Sequence, residues 1–220
     1  MFAFFAEEFR EWRERRMKRT MVLGAFALAI VSAVSMLQPL LVALASTLVF
    51  VGFGWTEGNR YQSALSSRRL LVAFPVAPRA IAAGKALSSL ATWSFTAMVL
   101  SPPLALSAIA WGVSGRALAA CALSWLVCYY ASLCVGFLSS LVFVKSEGLI
   151  GAVFVIAWLV SSLAVKSLAP SNPFIQVWDI LKEEGGASPF LGMGATTLAA
   201  SALLGVAALA LARLRRGKHE

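Results

Sequence analysis

Long uncharged apolar runs alternate along the chain with short polar clusters. No charged residue stands between residues 20 and 56. A helix crosses a bilayer core with roughly 20 apolar residues, so this stretch alone has room for about two spans. Runs of the same kind continue to the end of the chain and predict six spans, at 20–37, 40–55, 86–111, 117–144, 149–168 and 189–212. Barrel strands would instead alternate apolar and polar positions over about 10 residues. The predicted fold is therefore an all-α membrane protein with six transmembrane helices.

The polar breaks between the runs carry their own pattern. In residues 1–19, Phe2, Phe5, Phe9 and Trp12 recur at steps of three and four, the spacing of one helical face. Glu11 with Arg15 and Glu14 with Lys18 are placed for i,i+4 pairing in the favourable order. This segment reads as an interfacial amphipathic helix anchored in membrane lipid by its aromatic face. Gln38 and Pro39 make a minimal turn, with Pro39 suited to the first turn of the next helix. Pro102 and Pro103 should bend the third span. Residues 57–85 and 169–188 are the two long connections, and 213–220 form a basic tail.

Composition sharpens the picture. The chain is 60% hydrophobic and 13% charged, against about 25% charged in a soluble domain, and its mean hydropathy is +0.80. With the N-terminus inside, sixteen of the nineteen Lys and Arg residues fall on inner segments, and only Arg116, Lys166 and Lys182 fall outside. That bias places both termini in the cytoplasm and predicts a multi-pass protein of the cell membrane, of the bacterial inner membrane type. It also accounts for the net charge of +9 without nucleic acid, for which no aromatic-basic stripe is present. The first apolar run follows an acidic and basic head and exceeds the 7–15 residues of a signal core, so it reads as a retained span. Cys121, Cys128 and Cys134 share one run. Cys121 and Cys128 would lie on the order of 10 Å apart on a helix, too far for a disulfide, so these are packing residues.

Catalytic chemistry is not legible. The one histidine, His219, is in the tail, and no carboxylate pair falls inside a span. Gly84-Lys85 resembles the end of a phosphate loop, but Arg79 replaces the first glycine and Ala86 the Ser/Thr. Ion-coupled carriers usually hold Asp, Glu, His or Arg within the membrane, and the predicted spans lack them. Lys166 is placed to snorkel to the outer interface. The chain is therefore expected to hold no cofactor, and energy for any transport has to come from another subunit.

The segment 57–85 is the informative connection. A short helix should end at Phe74, because Pro75 disfavours helix in the residue before it. Pro75 and Pro78 stiffen a bend, and a second helix then runs into the third span with Lys85 at the membrane edge. The run Leu70, Leu71, Pro75, Val76, Ile81, Gly84 and Lys85, with Glu57 upstream, resembles the LLxxxPVxxxxIxxGK loop between spans 2 and 3 of the ABC-2 type ABC transporter permease family. The N-terminal amphipathic helix, the six spans and Asn172-Pro173-Phe174 before span 6 match the same layout. Upstream of the paired leucines, Gln62 and Ser66-Ser67 stand where many members carry Glu and Gly-Thr.

That resemblance implies a permease subunit and not an enzyme. It makes 57–85 a cytoplasmic coupling segment. Residues 62–80 within it would dock as the coupling helix on a separate ABC ATPase subunit and take its stroke, with ATP and Mg held in that partner. Arg68, Arg69, Leu70, Leu71, Phe74, Pro75, Val76 and Arg79 would be its coupling residues. It also implies a second permease subunit and a partly re-entrant pair of short outer helices at 169–188. Apolar spans favour an amphipathic or hydrophobic substrate. The rival readings are the haem-exporter B permease of cytochrome c maturation, a membrane anchor or scaffold that transports nothing, and an intramembrane enzyme.

Overall fold

The structure, a computed structural model, describes residues 39–59, 76–142, 149–182 and 186–216. They form helices and turns, with no strand among the described residues. The elements are α1 (Pro39–Gly58), α2 (Pro78–Ala110), α3 (Gly115–Val142), α4 (Leu149–Ala164), a 3-10 turn (Ala169–Ser171), α5 (Pro173–Leu181) and α6 (Ser188–Arg216). The expected span 20–37 and the interfacial residues Phe2, Phe5, Phe9 and Trp12 lie outside the described residues. So do Arg68, Arg69, Leu70, Leu71, Phe74 and Pro75.

Local chemistry sets the helix ends. Pro39 and Pro78 open α1 and α2, where the missing N–H costs nothing and φ is already helical. Gly112 takes a φ of 66° between α2 and α3, a region open to glycine without steric penalty. Ser114 then caps α3, its Oγ accepting from Ala117 N at 3.2 Å. Pro102 and Pro103 stand inside α2, and the helix continues through them. The helix α4 stops at Ala164, short of the expected residue 168, and a 3-10 turn with Pro170 inside it follows at Ala169–Ser171. The chain tightens there, with Leu168 N donating to Val165 O at 2.9 Å. Arg213, Arg215 and Arg216 close α6, complementing the negative end of its dipole.

The helix α3 is the axis of the bundle and packs on every other described helix. Its closest neighbour is α1. A Cβ on Gly54 would strike Tyr129 O, and one on Gly58 would strike Leu133 O. Across the crossing, a Cβ on Gly136 would come within 2.7 Å of Trp55 O. Gly54 and Gly58, four residues apart, thus let two backbones touch, the small-residue packing that joins helices in lipid. Beside this crossing Phe50 stacks on Trp125 with centroids 5.6 Å apart and tilts against Trp93 at 6.3 Å. Trp125 Nε1 donates to Thr47 Oγ1 at 3.1 Å. Cys121, Cys128 and Cys134 are buried free thiols, as expected of packing residues.

Among the described residues two helices, α3 and α6, are long and apolar enough to cross a membrane. Their 28 and 29 residues reach about 42 Å at 1.5 Å per residue, beyond the ~30 Å hydrocarbon core. The outward face of α6 carries Leu191, Leu198 and Leu209, each more than 60% exposed. Val153, Phe154, Ile156, Val160 and Leu163 are likewise exposed along α4. Water does not favour apolar faces of this extent, whereas lipid or a partner helix does.

Candidate functional site

Three features run along the bundle. The first is the end where α2 begins and α3 and α6 finish. Ile81, Phe137, Leu141, Ala207 and Leu211 form a buried cluster there, and Val76, Leu138 and Leu204 pack against it. Val76 is half-buried, and Arg79, one turn on, is exposed. Of the residues assigned to coupling, these two are the ones the structure describes. Arg215 Nη1 donates to Val76 O across this end. Lys85, expected at the membrane edge, is 1% exposed. It follows Ile81 by four residues and precedes Ser88 by three, and all three are buried, so this face of α2 turns into the bundle.

The second feature is a cleft of about 650 Å³ between α3, α4 and α6, within the usual ~300–1,000 Å³ of ligand pockets. Small side chains of α3 and α6 (Ala131, Ala195, Ala199, Ala200) face Phe154 and Trp158 of α4, with Leu168 above. Its wall also carries Ser139, Thr196 and Ser171. Their hydroxyls donate to Gly136 O at 2.9 Å, Gly192 O at 2.8 Å and Leu168 O at 2.7 Å. With those protons used on nearby carbonyls, the cleft offers an almost wholly apolar surface. It can hold a hydrocarbon tail or a ring system, and it has no group fit for acid-base work.

The third feature is a polar cap at the opposite end, built by the 3-10 turn and α5. Asn172 and Gln176 are 0% and 1% exposed. Asn172 Oδ1 caps α5 by accepting from Phe174 N at 2.9 Å. Its Nδ2 donates to Leu159 O at 3.1 Å and Ser162 Oγ at 2.8 Å. Gln176 Oε1 accepts from Ser124 Oγ at 2.8 Å, and its Nε2 donates to Pro170 O at 2.7 Å. Gly192 leaves room for that same carbonyl, which a Cβ there would strike. Buried amides are held this way only when both ends find partners. Lys182 Nζ lies 4.3 Å from the ring centroid of Trp178 at the exposed side of α5, a cation–π contact. Arg116 and Asp179 line a smaller recess of about 300 Å³ at this end.

Among the described residues no group of three or more His, Cys, Asp or Glu is placed to hold a metal ion. No family model matches the chain, and no characterised protein or solved structure is detectably similar to it.

Sequence reading had singled out Asn172, Val76 and Arg79 but missed Gln176, Ser124, Gly54, Gly58 and Arg215. Gly54-x-x-x-Gly58 was the one visible signal among these. The others act through partners far away in sequence.

Proposed function

We propose that this chain is the six-span permease subunit of an ATP-driven ABC exporter, working as a dimer with two cytoplasmic ABC ATPase subunits. It moves an amphipathic or hydrophobic substrate from the cytoplasmic side or inner leaflet. The observation that carries the reading is the arrangement at the Val76 end. The end of the proposed coupling segment packs on α2, α3 and α6 together, beside the basic last turn of α6. A push on that segment would reach three helices at once. The apolar cleft supports the substrate class, because its lining is almost all hydrocarbon and carries no charged side chain. The short helical cap at 169–181 supports a pathway closed on the outer side. ATP and Mg belong to the partner subunit.

Topology follows from the charge bias. Cysteines placed at Ser66 and Lys218 are expected to resist a membrane-impermeant label in intact cells, while those at Gly115 and Gly186 react. Labelling of Ser66 from outside would remove the coupling assignment.

The functional test is capture of the ATPase. Leu71→Ala with Phe74→Ala truncates two apolar anchors, each commonly worth about 1–3 kcal/mol at an interface. The correctly inserted double variant should lose ATPase co-purification at least tenfold, with ATP turnover of the membrane fraction falling in step. Wild-type levels of both would leave 62–80 an ordinary loop and favour the non-transporting scaffold.

A further inference from the structure

The last turn of α6 reaches a carbonyl 139 residues away in the chain. Ala207, Leu211 and Arg215 are spaced i, i+4, i+8 and share one face of α6. The first two are buried in the cluster with Ile81, Phe137 and Leu141. The third continues the stripe and ends it in a guanidinium, half-buried, whose Nη1 donates to Val76 O. The long aliphatic stem of arginine suits it to lie along such a stripe while its head finds an acceptor.

The acceptor is available for a local reason. The first backbone bonds of α2 go to Ala77, which accepts from Ala80 N at 2.9 Å and Ile81 N at 3.1 Å. Val76 lies one residue further out, and the residue after next, Pro78, opens the helix. The Val76 carbonyl therefore stands outside the helical ladder, against an apolar cluster. A carbonyl withdrawn in part from water is best served by a donor, and a charged guanidinium gives the stronger kind of bond.

We infer that Arg215 is a positioning residue that ties the segment ending at Val76 to α6, so that movement of this segment is delivered to α6 and, through Phe137 and Leu141, to α3. The delivery rests on the permease reading, whereas the tie does not. Arg213 and Arg216 are exposed on the same turn and serve as charge-matched neighbours without the tie. A tail arginine that merely met lipid headgroups would be equivalent to them.

The experiment is hydrogen exchange read by mass spectrometry on the full chain in lipid nanodiscs. Arg215→Gln is expected to raise exchange at residues 77–85 at least fivefold while leaving the middle of α3 protected. Arg213→Gln should match wild type, and Arg215→Lys should recover part of the protection. Equal behaviour of Arg215→Gln and Arg213→Gln overturns the tie, and so does a rise spread evenly over α3. The second arm uses the complex with its captured ATPase, trapped with ATP, Mg²⁺ and vanadate. In wild type, trapping should change exchange in both 62–80 and the last two turns of α6. In Arg215→Gln it should change 62–80 alone. A response of α6 that persists in the variant overturns delivery through Arg215. Failure of the wild-type chain to capture any ATPase counts against the proposed function and leaves the tie to be decided by the first arm.

Discussion

Replacing Gly54 or Gly58 by leucine is expected to part α1 from α3 and to cost the bundle a large share of its stability. Overpacking a tight contact costs about 1–3 kcal/mol and occasionally more. Here the obstacle is backbone, Tyr129 O for Gly54 and Leu133 O for Gly58, and backbone cannot swing aside as a side chain can. A loss near the top of that range, about 3 kcal/mol, is expected at each site. A native state is stable by only about 5–15 kcal/mol, so the double variant should barely fold. At ~2–4 °C per kcal/mol for a chain of this size, each single variant should melt about 6–12 °C lower in detergent. Even alanine carries the offending Cβ and should fall in the same direction.

Gly52 supplies the control on the same helix. It is exposed, with nothing within 4 Å of its would-be Cβ. Gly52→Ala should be neutral or stabilising, since glycine inside a helix costs roughly 0.5–1 kcal/mol relative to alanine. If Gly58→Ala behaved like Gly52→Ala, the close crossing of α1 and α3 would be wrong.

The positions of helices were the legible part of this chain. Apolar runs bounded by Pro, Gly and charge placed helices close to α1, α3 and α6, because helix ends answer to neighbours in sequence. The turn at Gly112 and the start of α2 at Pro78 have the same local origin. The early end of α4 was not legible, because apolar residues continue past Ala164 to Leu168 with only Lys166 and Ser167 between them. Side-chain pairing was not legible. Ser124 and Gln176 are 52 residues apart, and Arg215 and Val76 are 139 apart. Nothing in the composition of either partner announces the other.

Lys85 shows the limit from another side. A lone lysine after glycine, at the end of a polar segment, reads as an edge residue. The packing of Ile81 and Ser88 on either side turns it inward. Which face of a nearly uniform apolar helix points to the core is decided by the neighbouring helices, and a helix such as α3, apolar all round, gives no hint of it. The Gly54–Gly58 spacing was present as a pattern, but the face it would meet on α3 could be known only from the fold.

The cap at 165–182 yields the second large effect, and it separates two jobs that Asn172 does at once. Its Oδ1 caps α5, while its Nδ2 anchors the cap to α4 through Leu159 O and Ser162 Oγ. Asn172→Asp keeps an oxygen for the cap, and aspartate is as good an N-cap as asparagine. It also sets a second oxygen, with no proton to give when ionised, against the Leu159 carbonyl in a fully buried place. Gln176→Glu does the same to Pro170 O while keeping an acceptor for Ser124. Leaving a buried polar group without its partner costs about 1–3 kcal/mol, and more when charge is involved. Asn172→Asp and Gln176→Glu are therefore each expected to cost about 3 kcal/mol. Gln176→Leu, which removes the polar pairing without adding charge, should cost about 1–3 kcal/mol. The measurement is melting temperature together with limited proteolysis, which should cut first between residues 165 and 182 in the damaged variants. Wild-type resistance in Asn172→Asp would mean that only the cap of α5 matters and that the bond to α4 holds nothing in place.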